Sequence, residues 1–230
     1  MNESLQTQFG YAGTGLAADR QRVLRNTYWL LALSLVPTVL GAWIGVSTGL
    51  FRMMSPGMSA IVFFVGAFGL MFVIEKTKDS ATGVAALLGF TFFMGLMLSR
   101  LVGYVLGFKN GTSLVMTAFG GTAAVFFTMA SLATVIKRDL SSMGKFLVVG
   151  AVILMVAGIA NIFLQSSALM LTMLVMSLGI FSAFMLYDIK RVVDGGETNY
   201  ITATLAIYLD IYNVFQSLLS LLGIFGGDRD

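Results

Sequence analysis

The sequence predicts an all-α integral membrane protein with seven transmembrane helices. Three observations carry this. Of 230 residues, 57% are hydrophobic and only 11% are charged. A soluble domain of this size carries about 25% charged residues. The apolar residues also fall into seven separate runs, each near the ~20 residues that a helix needs to cross a bilayer. Third, the charges gather in the short connectors between the runs. Seven crossings use nearly the whole chain and leave no room for a second domain.

Residues 1–25 are polar or small and show no sustained period. They read as a flexible cytoplasmic tail that ends in a basic collar of Arg20, Arg22 and Arg25. The first apolar run, about Thr27 to Leu50, is too long for the core of a cleaved signal peptide. The next runs are about Pro56–Ile74, Gly83–Phe108, Thr112–Ile136, Gly144–Gln165, Ala168–Ile189 and Tyr200–Ile224. The domain reading is therefore a tail at 1–25, a seven-helix domain at 26–225 and a short polar tail at 226–230. Gln165 to Ala168 is barely a loop, so the fifth and sixth spans form a tight hairpin. Lys109-Asn110-Gly111-Thr112 reads as a turn, and its glycosylation sequon matters only in a secretory host.

Orientation follows from the positive-inside rule. With the N-terminus in the cytoplasm, that side collects ten basic residues: Arg20, Arg22, Arg25, Lys76, Lys78, Lys137, Arg138, Lys145, Lys190 and Arg191. The other side keeps four: Arg52, Arg100, Lys109 and Arg229. The net charge of +3 belongs to this asymmetry and is no sign of nucleic-acid binding. Seven full crossings put the C-terminus outside, whereas a re-entrant last span would return it to the cytoplasm. Gly41, Gly45 and Gly49 share one face of the first span, and Gly103 and Gly107 repeat the spacing in the third. Small residues at this interval let helix backbones approach closely in lipid. The expected use is packing within the bundle, with homodimerisation as the alternative.

The chain has no His and no Cys. That excludes His-dependent catalytic triads, thiolate nucleophiles and zinc or haem ligation by these residues. Gly45-Val-Ser-Thr-Gly49 matches a nucleophile-elbow pattern, but it lies in a membrane helix and has no His to serve it.

An ionisable residue inside a membrane span is costly and is read first as functional. Asp210 lies ten residues into the last span, so about 15 Å deep. Asn213 and Ser217 share its face, and Tyr208 and Tyr212 flank it. Asp188 lies near the cytoplasmic end of the sixth span, beside Lys190 and Arg191. A short loop joins the two spans and makes them antiparallel neighbours, which sets the two carboxylates across from each other. Such a pair shares a proton at low pH, and repels when both groups ionise unless a cation enters. Calcium takes carboxylate and carbonyl oxygens, so Asp188 and Asp210, with Asn213, are the candidate ligands. Supporting polar candidates are Asn161, Glu75 and Arg100; Arg100 is expected to snorkel to the outer interface.

The segment Asp194-Gly-Gly-Glu-Thr-Asn-Tyr-Ile201 runs into Leu209-Asp-Ile-Tyr-Asn-Val-Phe215 and Leu218-Leu-Ser-Leu-Leu-Gly223. Together with Leu24-Arg-Asn-Thr-Tyr28, Gly120-Gly-Thr-Ala123 and Ala160-Asn-Ile-Phe-Leu-Gln165, this resembles the Bax inhibitor family (transmembrane Bax inhibitor motif family), in its bacterial YccA-like branch. The resemblance covers nearly the whole chain from residue 20. It implies a compact bundle around a central helix, a Gram-negative inner membrane as location, and in some members a pH-sensitive calcium leak. It further implies a di-aspartyl sensor, to which Asp188 and Asp210 correspond. For the bacterial branch it implies engagement of the membrane AAA protease FtsH through the N-terminal tail.

The expected function is thus a pH-sensitive cation leak with no enzymatic activity and no cofactor beyond the calcium ion it binds or passes. The alternative is a non-enzymatic modulator or substrate of an FtsH-type protease. Intramembrane aspartyl proteolysis is rejected. Tyr187-Asp188 matches half of that signature, but Asp210 follows Tyr208-Leu rather than the required glycine motif. The only prolines, Pro37 and Pro56, leave no Pro-Ala-Leu element.

Overall fold

The computed structural model describes residues 3–49 and 54–228, and its side-chain description starts at Asp19. Seven helices run in order: α1 (Glu3–Thr48), α2 (Pro56–Thr77), α3 (Ala81–Leu106), α4 (Gly111–Val135), α5 (Ser141–Leu164), α6 (Ser167–Val193) and α7 (Tyr200–Phe225). No strand occurs among the described residues. All seven are long and apolar enough to cross a bilayer, the first from Asp19. Residues 19–25, read from sequence as the end of a flexible tail, are helical and continuous with the first span. The tail reading for side chains upstream of Asp19 lies outside the described residues, as do Arg52 and Arg229.

Local chemistry fixes the helix boundaries. Ser55 caps α2 by accepting from Met58 N, with Pro56 at the first helical position. Between α5 and α6 only Gln165 and Ser166 intervene. Gln165 adopts a left-handed φ of 48°, Asn161 Oδ1 accepts from Ser166 N at 2.9 Å, and Ser166 Oγ accepts from Leu169 N at 3.3 Å. Those bonds give partners to two backbone N–H groups at the turn.

The bundle is arranged around α7, which packs against α1, α2, α3, α4 and α6. Its buried residues include Thr204, Tyr208, Asp210, Tyr212 and Ser217. A helix this rich in polar groups is stable in lipid only when other helices enclose it. At the other extreme, α5 packs against α6, and Gly144 is its one buried residue. Large apolar side chains face outward on the remaining surfaces, among them Trp29, Trp43, Phe127, Phe146 and Phe163. In water this would be an aggregating surface; in a bilayer it is the lipid-facing belt.

The closest helix pair is α1 and α3. A β-carbon on Gly41 would meet the Phe92 carbonyl, and one on Gly95 the Thr38 carbonyl. One on Gly45 would meet the Ser99 side chain. The small-residue face of α1 is therefore used inside the bundle at Gly41 and Gly45. Gly49 instead has a left-handed φ of 65°, follows the end of the helix, and has open space where a β-carbon would lie.

Hydrogen bonds show which connectors share an end of the bundle. Asn199, before α7, donates to Lys78 O at 3.0 Å and to Asp79 Oδ1 at 2.8 Å, in the α2–α3 loop. At the opposite end, Asn110 Nδ2 donates to Gly226 O at 2.6 Å, tying the C-terminus of α7 to the α3–α4 turn. So α7 is one continuous helix of 26 residues, about 39 Å long, and it crosses from one end to the other. The re-entrant arrangement does not occur.

Gly95→Ala should destabilise the purified protein by about 1–3 kcal/mol through overpacking against a backbone carbonyl. Gly89→Ala, with open space at its β-carbon, should change stability by no more than about 0.5 kcal/mol. Thermal unfolding in detergent, followed by size-exclusion recovery, checks the pair; equal midpoints would contradict the close α1–α3 contact.

Candidate functional site: a buried carboxylate pair

The site grows from the start of α7. Asn199 caps that helix by accepting from Ile201 N at 2.9 Å and Thr202 N at 3.3 Å, while its amide holds the α2–α3 loop. One turn in, Thr204 Oγ1 donates to Tyr200 O at 2.6 Å and reaches Thr27 O of α1 at 3.3 Å. At the next turn the Tyr208 hydroxyl lies 2.9 Å from Thr38 Oγ1 of α1 and 3.4 Å from Thr91 O of α3. The Tyr208 ring also packs edge-on against Phe90. These bonds lock α7 in rotation against α1 and α3. That rotation aims Asp210 into the bundle.

Asp210 is only 3% exposed. Its side chain lies within hydrogen-bonding reach of Asp188 on α6. Its Oδ2 is buried and has no hydrogen-bond partner among the described residues. The charge that acts on Asp210 is that of Asp188. Asp188 is half-buried, and the further charges acting on it are Arg191 and Glu197. These two pair with each other at 3.2 Å, and among the described residues no cation forms an ion pair with either aspartate. The neighbouring Lys190, though 6% exposed, is taken by Asp194 at 2.8 Å. Two carboxyl groups in this contact can share a proton, or hold a cation between them.

The structure brings Asp188 and Asp210 together and sets the other sequence candidates apart from them. Asn213 donates to Leu209 O of its own helix at 2.8 Å. One turn further, Ser217 donates to Ser177 Oγ of α6 at 3.0 Å. Asn161 serves the α5–α6 turn at the opposite end. Glu75 pairs with Lys78 at the exposed end of α2. Arg100 reaches Ser59 Oγ at 3.2 Å and lines an apolar-floored cavity of about 410 Å³ with Tyr104, Gln216 and Ser220. No group of three or more Asp, Glu, His or Cys side chains converges among the described residues. Sequence reasoning missed Thr27, Thr38, Thr91 and Ser177, which position α7. Their only signal was a hydroxyl or a Thr carbonyl inside an otherwise apolar run.

Seven membrane-length helices, the central one polar, with paired carboxylates and no catalytic constellation among the described residues, define a polytopic α-helical membrane protein that buries an acidic pair. Residues 20–227 match the family described as "Inhibitor of apoptosis-promoting Bax1". The chain belongs to the Bax inhibitor family. It is 38% identical over 207 residues to the Escherichia coli K12 protein named "Modulator of FtsH protease YccA", covering 90% of this chain and 92% of that one. The counterpart in Escherichia coli O6:H1, at the same identity and coverage, is named "Inner membrane protein YccA". An uncharacterized Neisseria meningitidis protein is 37% identical over 223 residues, 95% of this chain and 97% of its own.

Asn199→Asp keeps the cap oxygen, loses the amide donor to Lys78 O, and sets a second carboxylate beside Asp79. It should lower stability by about 1–3 kcal/mol, more than Thr204→Val, which should lose about 1 kcal/mol for its hydrogen bonds. Denaturation midpoints of the three proteins, measured side by side, test this ranking.

Proposed function

We propose that the protein is a non-enzymatic modulator of a membrane AAA protease of the FtsH type, in a bacterial inner membrane with its N-terminus in the cytoplasm. The observation that carries this reading is the likeness, over 90% of this chain, to a relative named for that role. The family and relatives' names point to a modulator or inhibitor, and the site carries no catalytic constellation. The segment upstream of Asp19 is the handle in this reading. It is polar and precedes the first membrane span, as an accessible engagement segment must. The basic residues gathered at that end support the cytoplasmic assignment.

Deletion of residues 2–19 should abolish co-purification with the protease while leaving the bundle folded. Asp210→Asn should leave co-purification intact. Undiminished association after the deletion would reject the segment as the handle.

A second reading rests on a separate observation: the carboxyl of Asp210, with its Oδ2 buried and unpartnered, lies beside Asp188. We infer from it a pH-sensitive cation leak in which the pair is the sensor. Protonated, the two groups hold α6 and α7 together through a shared hydrogen bond. Ionised, they repel, and the repulsion biases the bundle towards a state that admits a cation. Calcium would take carboxylate oxygens from both aspartates and complete its shell with carbonyls or water. Calcium flux into proteoliposomes should differ between pH 6 and pH 8 for the wild type, and Asp188→Asn and Asp210→Asn should each remove that difference. Folded wild-type protein with no flux at either pH would reject this reading and leave the first intact.

A further inference from the structure

We propose that a cavity of about 540 Å³ at the basic end of the bundle binds a phosphate-bearing anion. Three separate segments build it. Arg20 comes from α1, Lys137 and Arg138 from the α4–α5 loop, and Lys190 from α6. Ala133, fully buried, belongs to its lining. Asp139 and Asp194 also line it, so four cations face two carboxylates.

Both carboxylates are already committed. Asp194 holds the buried Lys190 at 2.8 Å. Asp139 Oδ1 accepts from Ser141 N at 2.8 Å and from Ser141 Oγ at 2.6 Å, and these bonds hold its carboxyl below the usual range. Among the described residues, no carboxylate forms an ion pair with Arg20, Lys137 or Arg138. The cavity thus keeps an uncompensated positive charge, contributed by residues far apart in sequence.

The chemistry is that of a phosphate site. Arginine offers a planar fork of donors that matches phosphate oxygens, and lysine adds a point charge. A volume of about 540 Å³ exceeds inorganic phosphate alone and falls in the usual range for small-molecule sites. It leaves room for a glycerol or nucleoside attached to the phosphate. The location is the membrane–water boundary, where clustered basic residues meet anionic headgroups. Two sources therefore share this chemistry, an anionic phospholipid headgroup and a soluble phosphate compound. The site does not depend on either functional reading above.

The test uses the full-length protein in two arms. In one, radiolabelled inorganic phosphate is equilibrated with protein in phosphatidylcholine nanodiscs. In the other, protein extracted from vesicles of equal parts phosphatidylcholine and phosphatidylglycerol is examined by native mass spectrometry for retained phosphatidylglycerol. Phosphate binding marks a soluble source, and phosphatidylglycerol retention alone marks a headgroup site. In whichever arm binds, Lys137→Gln with Arg138→Gln should weaken binding about tenfold or more. Arg100→Gln, at the opposite end, should not. The two substituted residues lie in an exposed loop; should the double variant be unstable, Lys137→Gln alone serves with a smaller loss. Absence of binding in both arms overturns the proposal, as does wild-type binding by the folded loop variants.

Discussion

A carboxylate in the middle of a membrane-length helix constrains everything around it. Asp210 cannot face lipid, so α7 cannot sit at the edge of the bundle. The surrounding helices enclose it, and each supplies something different. α1 brings the Thr38 hydroxyl and the Thr27 carbonyl, α3 brings Phe90 and the Thr91 carbonyl, and α6 brings Asp188 and Ser177. Apolar association is weak in a bilayer because lipid tails are as apolar as the helix surfaces. Directional bonds and close backbone packing must therefore set how the helices pack, and the bonds of α7 are the directional part.

The α1–α3 contact is the packing part. Gly41, Gly45 and Gly95 remove the side chains that would separate the two backbones. Close approach brings many atoms into dispersion contact and places Thr38 where Tyr208 can reach it. The two devices are linked. Widening the α1–α3 interface would pull Thr38 from Tyr208, and α7 would lose the rotational lock that keeps Asp210 turned inward. The glycines of α1 thus act on the acidic pair through a tyrosine that lies between them.

Much of this was legible in the sequence. The seven spans follow from apolar length alone, and their limits agree with the helices to within a few residues at most ends. Asp188 and Asp210 stood out because charge is rare in such runs, and a short connector made their helices neighbours. What could not be read is what depends on rotation and on partners. The Gly41/Gly45 spacing announces a close contact but does not say that α3 is the partner. Thr38 and Ser177 look like any hydroxyl in a membrane helix, where most bond back to their own backbone, as Thr117, Thr128 and Ser131 do and as Thr38 also does to Ser34 O. The first helix extends upstream of the apolar run that marked it in the sequence, through the charged residues Asp19, Arg20, Arg22 and Arg25. Charge marks where a helix leaves the lipid, not where it ends.

The entry to α1 and the loop above the aspartates are in direct contact. Gly195 adopts a left-handed φ of 80°, and a β-carbon there would strike the Arg20 guanidinium. The same loop carries Asp194, which holds Lys190, and Glu197, which holds Arg191, two and three residues after Asp188 on its helix. A displacement of Arg20 would therefore reach the 194–199 loop first and then the end of α6. Asp188, which meets Asp210, lies within one helical turn of Lys190 and Arg191. The entry to the first span and the α6–α7 loop meet at one glycine, because only glycine both turns that loop and leaves space for the arginine of α1.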